Sequence, residues 1–159
     1  MKNLEVEAIL KFYKDIDLDI KVTKEWIEKY ESVYNPLGAV KYDGMPHGNR
    51  LSDTTASLAI KISETDIKED IIVLKNRVQE LKKLRTEIFK EFSTLTPVHK
   101  TILYNFYIKG QKWEHIAEQV NYSVRQSKNI RSVALEMLGW KLERNRTISQ
   151  SKILKEVLE

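Results

Sequence analysis

The sequence predicts an all-α protein in which a long N-terminal helical hairpin or coiled coil precedes a C-terminal helix-turn-helix bundle. Three observations lead there. Apolar residues recur at alternating steps of three and four over two long stretches, the period of a helix face. Helix breakers are scarce and gathered: the 159 residues hold 3 prolines and 5 glycines, and two of those prolines and three of those glycines fall within 35–52. After Ser93 the pattern shortens into segments punctuated by Thr96-Pro97, Gly110 and Asn121.

The first helix is predicted from about Leu4 to Tyr34. Val6, Ile9, Tyr13, Ile16, Ile20, Ile27, Tyr30 and Tyr34 form a heptad seam with Thr23 as its one polar interruption. The strand-like alternation of Ile16-Asp17-Leu18-Asp19-Ile20 is too short to compete with that period but admits a local break. Residues 35–52 read as a loop that is either functional or disordered, because Gly and Pro set backbone angles that helices reject. A second long helix is predicted from a cap at Ser52 or Asp53 to about Phe92. Its seam is Ile67, Ile71, Leu74, Val78, Leu81, Leu84, Ile88 and Phe92, and the interruption at Ser63–Asp66 admits a break or kink. The two seams should pack on each other, on a second copy of the chain, or both.

Thr96 is a natural N-cap and Pro97 a natural first helical residue. A helix from Pro97 to about Ile108 should stop at Gly110, and a short one should follow from Trp113 to Gln119. The turn Val120-Asn121-Tyr122 then leads to a helix from Ser123 to Leu138, with Gly139 as its end. Ser149–Glu159 reads as a tail able to form one more short helix. The expected division is therefore 1–92 for the long helices and oligomerisation, 93–148 for a DNA-binding domain, and 149–159 for the tail.

Two helices crossing steeply through a short turn need a small residue at the crossing, apolar residues around it, a turn residue that tolerates a left-handed backbone, and a cap on the second helix. Ala117 meets the first need, and Ile116, Val120, Tyr122 and Ile130 the second. Asn121 is second only to glycine in the third role. Ser123 with Gln126 three residues on is a capping-box pattern. In the second helix Ser127, Ile130, Ala134 and Leu138 point inward, with Val133, Leu135 and Met137 widening the stripe. Ser127 is unusual there, since Val or Ile would suit an inward position better. Ser123 caps the outward side, where Val124, Arg125, Lys128, Asn129, Arg131 and Ser132 are the candidate DNA contacts. Arg can read guanine and Asn adenine through paired hydrogen bonds, while Lys and Arg also grip phosphates.

The charge distribution points the same way. Residues 1–92 carry 16 Lys and Arg against 17 Asp and Glu, whereas residues 93–150 carry 9 against 4. The net charge of +4 thus originates in the C-terminal third, the asymmetry expected where one part meets phosphate.

Leu95-Thr96-Pro97, the stretch from Tyr104 to Gly110, Lys112 to Ala117, Tyr122-Ser123 and Ser132 to Leu135 resemble the sigma-factor region-four type of helix-turn-helix. The whole layout resembles the small phage transcriptional regulators of the ArpU and RinA type, and Tyr42 to Gly48 with Leu51 to Asp53 looks like a loop found in such proteins. The resemblance implies a phage or prophage regulator of late genes in a Gram-positive bacterium. It carries DNA contacts to Ser123, Val124, Arg125, Lys128, Asn129 and Arg131. Asn121 and Ser127 depart from the usual pattern.

No catalysis is expected, and neither a cofactor nor a metal. The chain has no cysteine, and His47, His99 and His115 stand in separate segments without ligand spacing. His115, between Glu114 and Glu118, reads as a surface residue. Gly44–Gly48 lacks the Gly-Lys-Ser/Thr ending of a phosphate-binding loop. Asp66, Glu69 and Asp70 read as helix-solvating acids, and Trp113 and Trp140 as core or hinge residues. No stretch approaches a membrane span, no secretory signal is seen, and a cytoplasmic protein is expected. The partners expected are double-stranded DNA and a second copy, as a homodimer or larger homo-oligomer. Two alternatives share the same features: a DNA-packaging adaptor such as a small terminase subunit, and a module that contacts RNA polymerase and binds DNA weakly.

Overall fold

A computed structural model describes residues 1–38 and 54–159, with side chains over 1–32 and 65–159. Among the described residues the chain is all-helical, with seven α-helices, one π-helical turn and no strand. The helices are α1 (Asn3–Gly38), α2 (Thr54–Ser93), α3 (Pro97–Leu103), α4 (Trp113–Val120), α5 (Val124–Arg144), α6 (Arg146–Ser149) and α7 (Lys152–Leu158), with the π turn at Tyr104–Ile108. From residue 39 on, the expected 35–52 loop lies outside the described residues.

Four expectations need correction. α1 does not break at 16–20. Its helical period continues through Thr23, whose hydroxyl donates to the Asp19 carbonyl at 2.8 Å. α1 also runs on to Gly38, past the expected end at Tyr34, with Pro36 in its last turn, where the proline forgoes one i→i−4 hydrogen bond. α2 is not broken at Ser63–Asp66 but runs through it as one helix. That turn contains neither Gly nor Pro, and propagating an existing helix through weak formers is easier than starting a new one. Finally, α5 does not stop at Gly139 but continues to Arg144. Gly139 is buried, and a Cβ there would stand 2.9 Å from the Val6 Cγ2 and 3.3 Å from the Met1 carbonyl oxygen. The glycine lets α1 cross α5 closely, and it ends nothing.

The chain divides into two compact units, 1–18 with 81–159 and 19–80. The boundaries expected at 92/93 and 148/149 both fall inside the first. Its core joins Val6, Ile9 and Ile16 of α1 with Leu81, Leu84 and Ile88 of α2. Ile102 and Leu103 of α3, Ile116 of α4, and Leu135, Leu138 and Leu142 of α5 complete it. Burying each of these aliphatic side chains contributes roughly 1.5–3 kcal/mol. The tail belongs here too, since Ile148 of α6 and Ile153 and Leu154 of α7 are buried. Asn145 ties these parts together. Its Oδ1 accepts from the backbone of Thr147 at 3.1 Å and caps α6, while its Nδ2 donates to Glu87 and Glu91 of α2, each at 2.8 Å.

The second unit consists of the remainders of α1 and α2. Among its described side chains, Ile20, Thr23, Ile27, Ile71 and Val78 are buried. Asp19 pairs with Arg77 at 3.3 Å and Glu31 with Lys75 at 2.7 Å. Exposed pairs of this kind add little to stability but favour one pairing of the helices over its alternatives.

Candidate nucleic-acid interface

α4, the turn after it and the first turns of α5 are built locally as their residues require. Asn121 adopts φ 57° and ψ 39°, the left-handed region that ends a helix. Its N–H bonds the Glu118 carbonyl at 3.3 Å and the Tyr122 N–H the Ala117 carbonyl at 3.1 Å, so these two carbonyls in the last turn of α4 are satisfied. Ser123 then opens α5 with a reciprocal capping box. The Gln126 N–H donates to the Ser123 Oγ and the Ser123 N–H to the Gln126 Oε1, both at 3.2 Å. Ile116 and Ala117 are buried on α4, and Ser127 and Ala134 on α5.

The candidate contacts do not all face one way. Arg125, Lys128 and Asn129 are exposed on the first two turns of α5, beside the exposed cap residue Ser123. Val124 and Ser132 are half-buried, and the Ser132 hydroxyl donates to the Lys128 carbonyl at 3.4 Å. At 100° per residue, Arg125, Lys128, Asn129 and Ser132 share a strip about a third of the helix circumference wide. Arg131 lies well off that strip. It is half-buried, and its guanidinium carbon sits over the Phe106 ring at 5.5 Å and the Trp113 ring at 5.7 Å. Its Nε is buried without a hydrogen-bond partner.

Three features escaped the sequence reading. Glu136 is exposed, four residues beyond Ser132 on the same strip, and confines the basic part of α5 to its first turns. The signal was present in the i, i+4 spacing. The second is the aromatic step under α5. Phe106 stacks on Trp113 at 4.6 Å, and the Lys128 ammonium stands 5.8 Å from the Trp113 ring centre. The π turn makes this possible: the Lys109 N–H reaches back five residues to the Tyr104 carbonyl at 3.0 Å. Nothing in the hydrophobic period distinguishes such a turn from an ordinary helix end. The third is Trp140, which is neither core nor hinge. It is 58% exposed, with the Arg144 guanidinium carbon 4.4 Å from its ring centre.

Tyr107, on the π turn, has its phenol pushed above the ordinary tyrosine value. Burial is the largest cause, the Glu7 carboxylate adds to it, and Arg131 opposes it. His115 is exposed and His99 half-buried, while His47 and the Gly44–Gly48 segment lie outside the described residues. Among the described residues no group of three His, Cys, Asp or Glu side chains is placed to hold a metal ion. Also among them, no helix is long and apolar enough to cross a membrane.

Comparison with protein-family models, with curated proteins and with solved structures finds no match.

Proposed function

We propose that this protein is a sequence-specific DNA-binding regulator of transcription, with α4 and α5 as a helix-turn-helix and α5 as its recognition helix. One observation carries the reading. A capped helix begins directly after a left-handed Asn121 turn and exposes Arg125, Lys128 and Asn129 over its first two turns. That is the side-chain set that reads base edges and phosphates from a major groove. The excess of positive charge after residue 93 supports it, and so does the resemblance to sigma region four and to phage regulators of the ArpU and RinA type. The π turn and Trp113 brace α5 from behind. Arg131 acts through that brace, while Arg125 and Asn129 supply base readout and Ser123 and Lys128 meet the backbone. The second unit supplies a surface for a second copy, since Val22, Trp26, Ile72 and Val73 are exposed there. A dimer would present two recognition helices to a site of repeated halves.

Selection of the full chain on a random duplex library tests this. A motif should enrich at physiological salt. Arg125→Ala and Asn129→Ala should each relax one position, at about 1–3 kcal/mol. Lys128→Ala should weaken all sequences alike and lower the salt slope by about 1. Recovery of no motif sinks the reading.

A second reading, contact with RNA polymerase, is favoured by a different observation. Val133, Met137 and Trp140 form an exposed apolar stripe at i, i+4 and i+7 on the outer side of α5. Met137→Glu should abolish binding to purified polymerase and leave motif selection unchanged. Equal polymerase binding by this variant and its parent removes this second reading.

A further inference from the structure

A cleft of about 580 Å³ opens within the first unit between α1, the π turn and α5. It is separate from the strip that carries Arg125 and Asn129. Lys11 and Lys14 rise from successive turns of α1 on one side, and Arg131 lines it from α5. None of these three cations belongs to an ion pair among the described residues. One buried polar group in the lining, the Arg131 Nε, has no hydrogen bond, while the Tyr107 hydroxyl, on a residue only 6% exposed, faces the Glu7 carboxylate and Arg131. A buried group left so costs about 1–3 kcal/mol, and more where it is charged. Glu7 and Asp15 complete the lining, so three cations face two carboxylates.

We infer that this cleft binds a phosphate-class oxyanion, seated between Lys11, Lys14 and Arg131. The excess of cations draws an anion. The Arg131 Nε is a donor without a partner, and an oxyanion oxygen would satisfy it. The two carboxylates add a requirement, because an anion beside them must offer a proton in a hydrogen bond. Hydrogen phosphate has such a proton at neutral pH and sulfate does not. The site therefore selects phosphate, or a phosphate on a ligand with its own hydroxyl groups, over sulfate. Occupancy reaches α5 directly. An anion bound to Arg131 draws on the guanidinium that lies over Phe106 and Trp113, the ring that also neighbours Lys128.

The probe is inorganic phosphate, titrated into the full chain with tryptophan emission as the readout and chloride holding ionic strength constant. Phosphate should give a saturating change, with sulfate at least about tenfold weaker, the ratio expected of one charge-assisted hydrogen bond. Lys11→Gln/Lys14→Gln, in which both altered residues are exposed and the fold is spared, should lose the saturation. A second arm adds duplex DNA to separate the two sources of phosphate. A free ligand leaves the phosphate titration unchanged by the duplex. A backbone phosphate makes the duplex suppress that titration, and the double variant then loses about 2 from the salt slope of DNA binding. A response identical for phosphate, sulfate and chloride overturns the inference, as does a double variant that titrates like its parent. Since the first arm contains no DNA, this outcome is independent of whether α5 reads bases.

Discussion

Ser127 is the residue at which local chemistry and position disagree most. It is fully buried on α5, and its hydroxyl makes no hydrogen bond. Such a group costs about 1–3 kcal/mol relative to an apolar one of the same shape. Ser127→Ala removes the hydroxyl and little volume, so it should raise stability by about 1 kcal/mol, read as a higher urea midpoint at unchanged m-value. A lower midpoint would mean that the hydroxyl has a partner in solution. Ser127→Val adds methyl groups to a packed position, where overpacking costs about 1–3 kcal/mol, so it should gain less than Ser127→Ala. That the position faces inward was legible from the i, i+7, i+11 spacing of Ser127, Ala134 and Leu138. Arg131 was not legible in the same way. Its long stem places a charge over Phe106 and Trp113, and only the π turn brings Phe106 within reach. Residue type and period alone put Arg131 among the outward cations.

Gly139 shows how one signal carries opposite meanings at the level of elements. A glycine after a run of helical spacing ends a helix when its backbone turns left-handed. Gly110 is such a case, with φ at 65° after the π turn. Gly139 keeps helical angles, and its missing side chain admits the start of α1. The two uses look alike in a sequence, because what distinguishes them is a contact with residues more than 130 positions away. Ala in place of Gly gains up to about 1 kcal/mol of helix propensity, whereas forcing a methyl group against Val6 and Met1 costs about 1–3 kcal/mol. Gly139→Ala should therefore be destabilising on balance, by about 1 kcal/mol. Val6→Ala is itself destabilising, because it empties a core position. The double variant should nevertheless be more stable than the sum of the two changes predicts, as their clash is shared. Strict additivity would show that α1 does not cross α5 here. The caps on α3 and α5 and the left-handed Asn121 were legible because each depends only on residues within four positions. The π turn and the run of α5 past Gly139 depend on distant neighbours.

Across the first unit, the buried Tyr107 and the half-buried Tyr13 set a pH limit on the folded state. Tyr107 and Tyr13 both have phenols raised above the ordinary value of 10.0, in each case mainly by burial, with Glu7 and Asp17 respectively adding to it. The charged form of a phenol is the deprotonated one, so burial favours the proton. Below pH 10 both the folded and the unfolded chain hold that proton, and the group has no influence on the pH dependence. Above pH 10 the unfolded chain releases it while the folded chain keeps it, and unfolding gains free energy with each further step. Stability should thus fall as pH rises past 10, by up to about 1.4 kcal/mol per pH unit for each such group. Lysines titrate in the same range, so the slope needs a reference that lacks one phenol. Tyr107→Phe supplies it, removing the phenol that sits beside Glu7 and Arg131. Measured against its own value at pH 8, the urea midpoint of the parent should fall faster than that of this variant from pH 10 to 11. Parallel pH profiles for the two proteins would show that Tyr107 ionises as freely in the folded chain as in the unfolded one. The packing of the π turn against α1 and α5 would then be looser than the burial of Tyr107 implies.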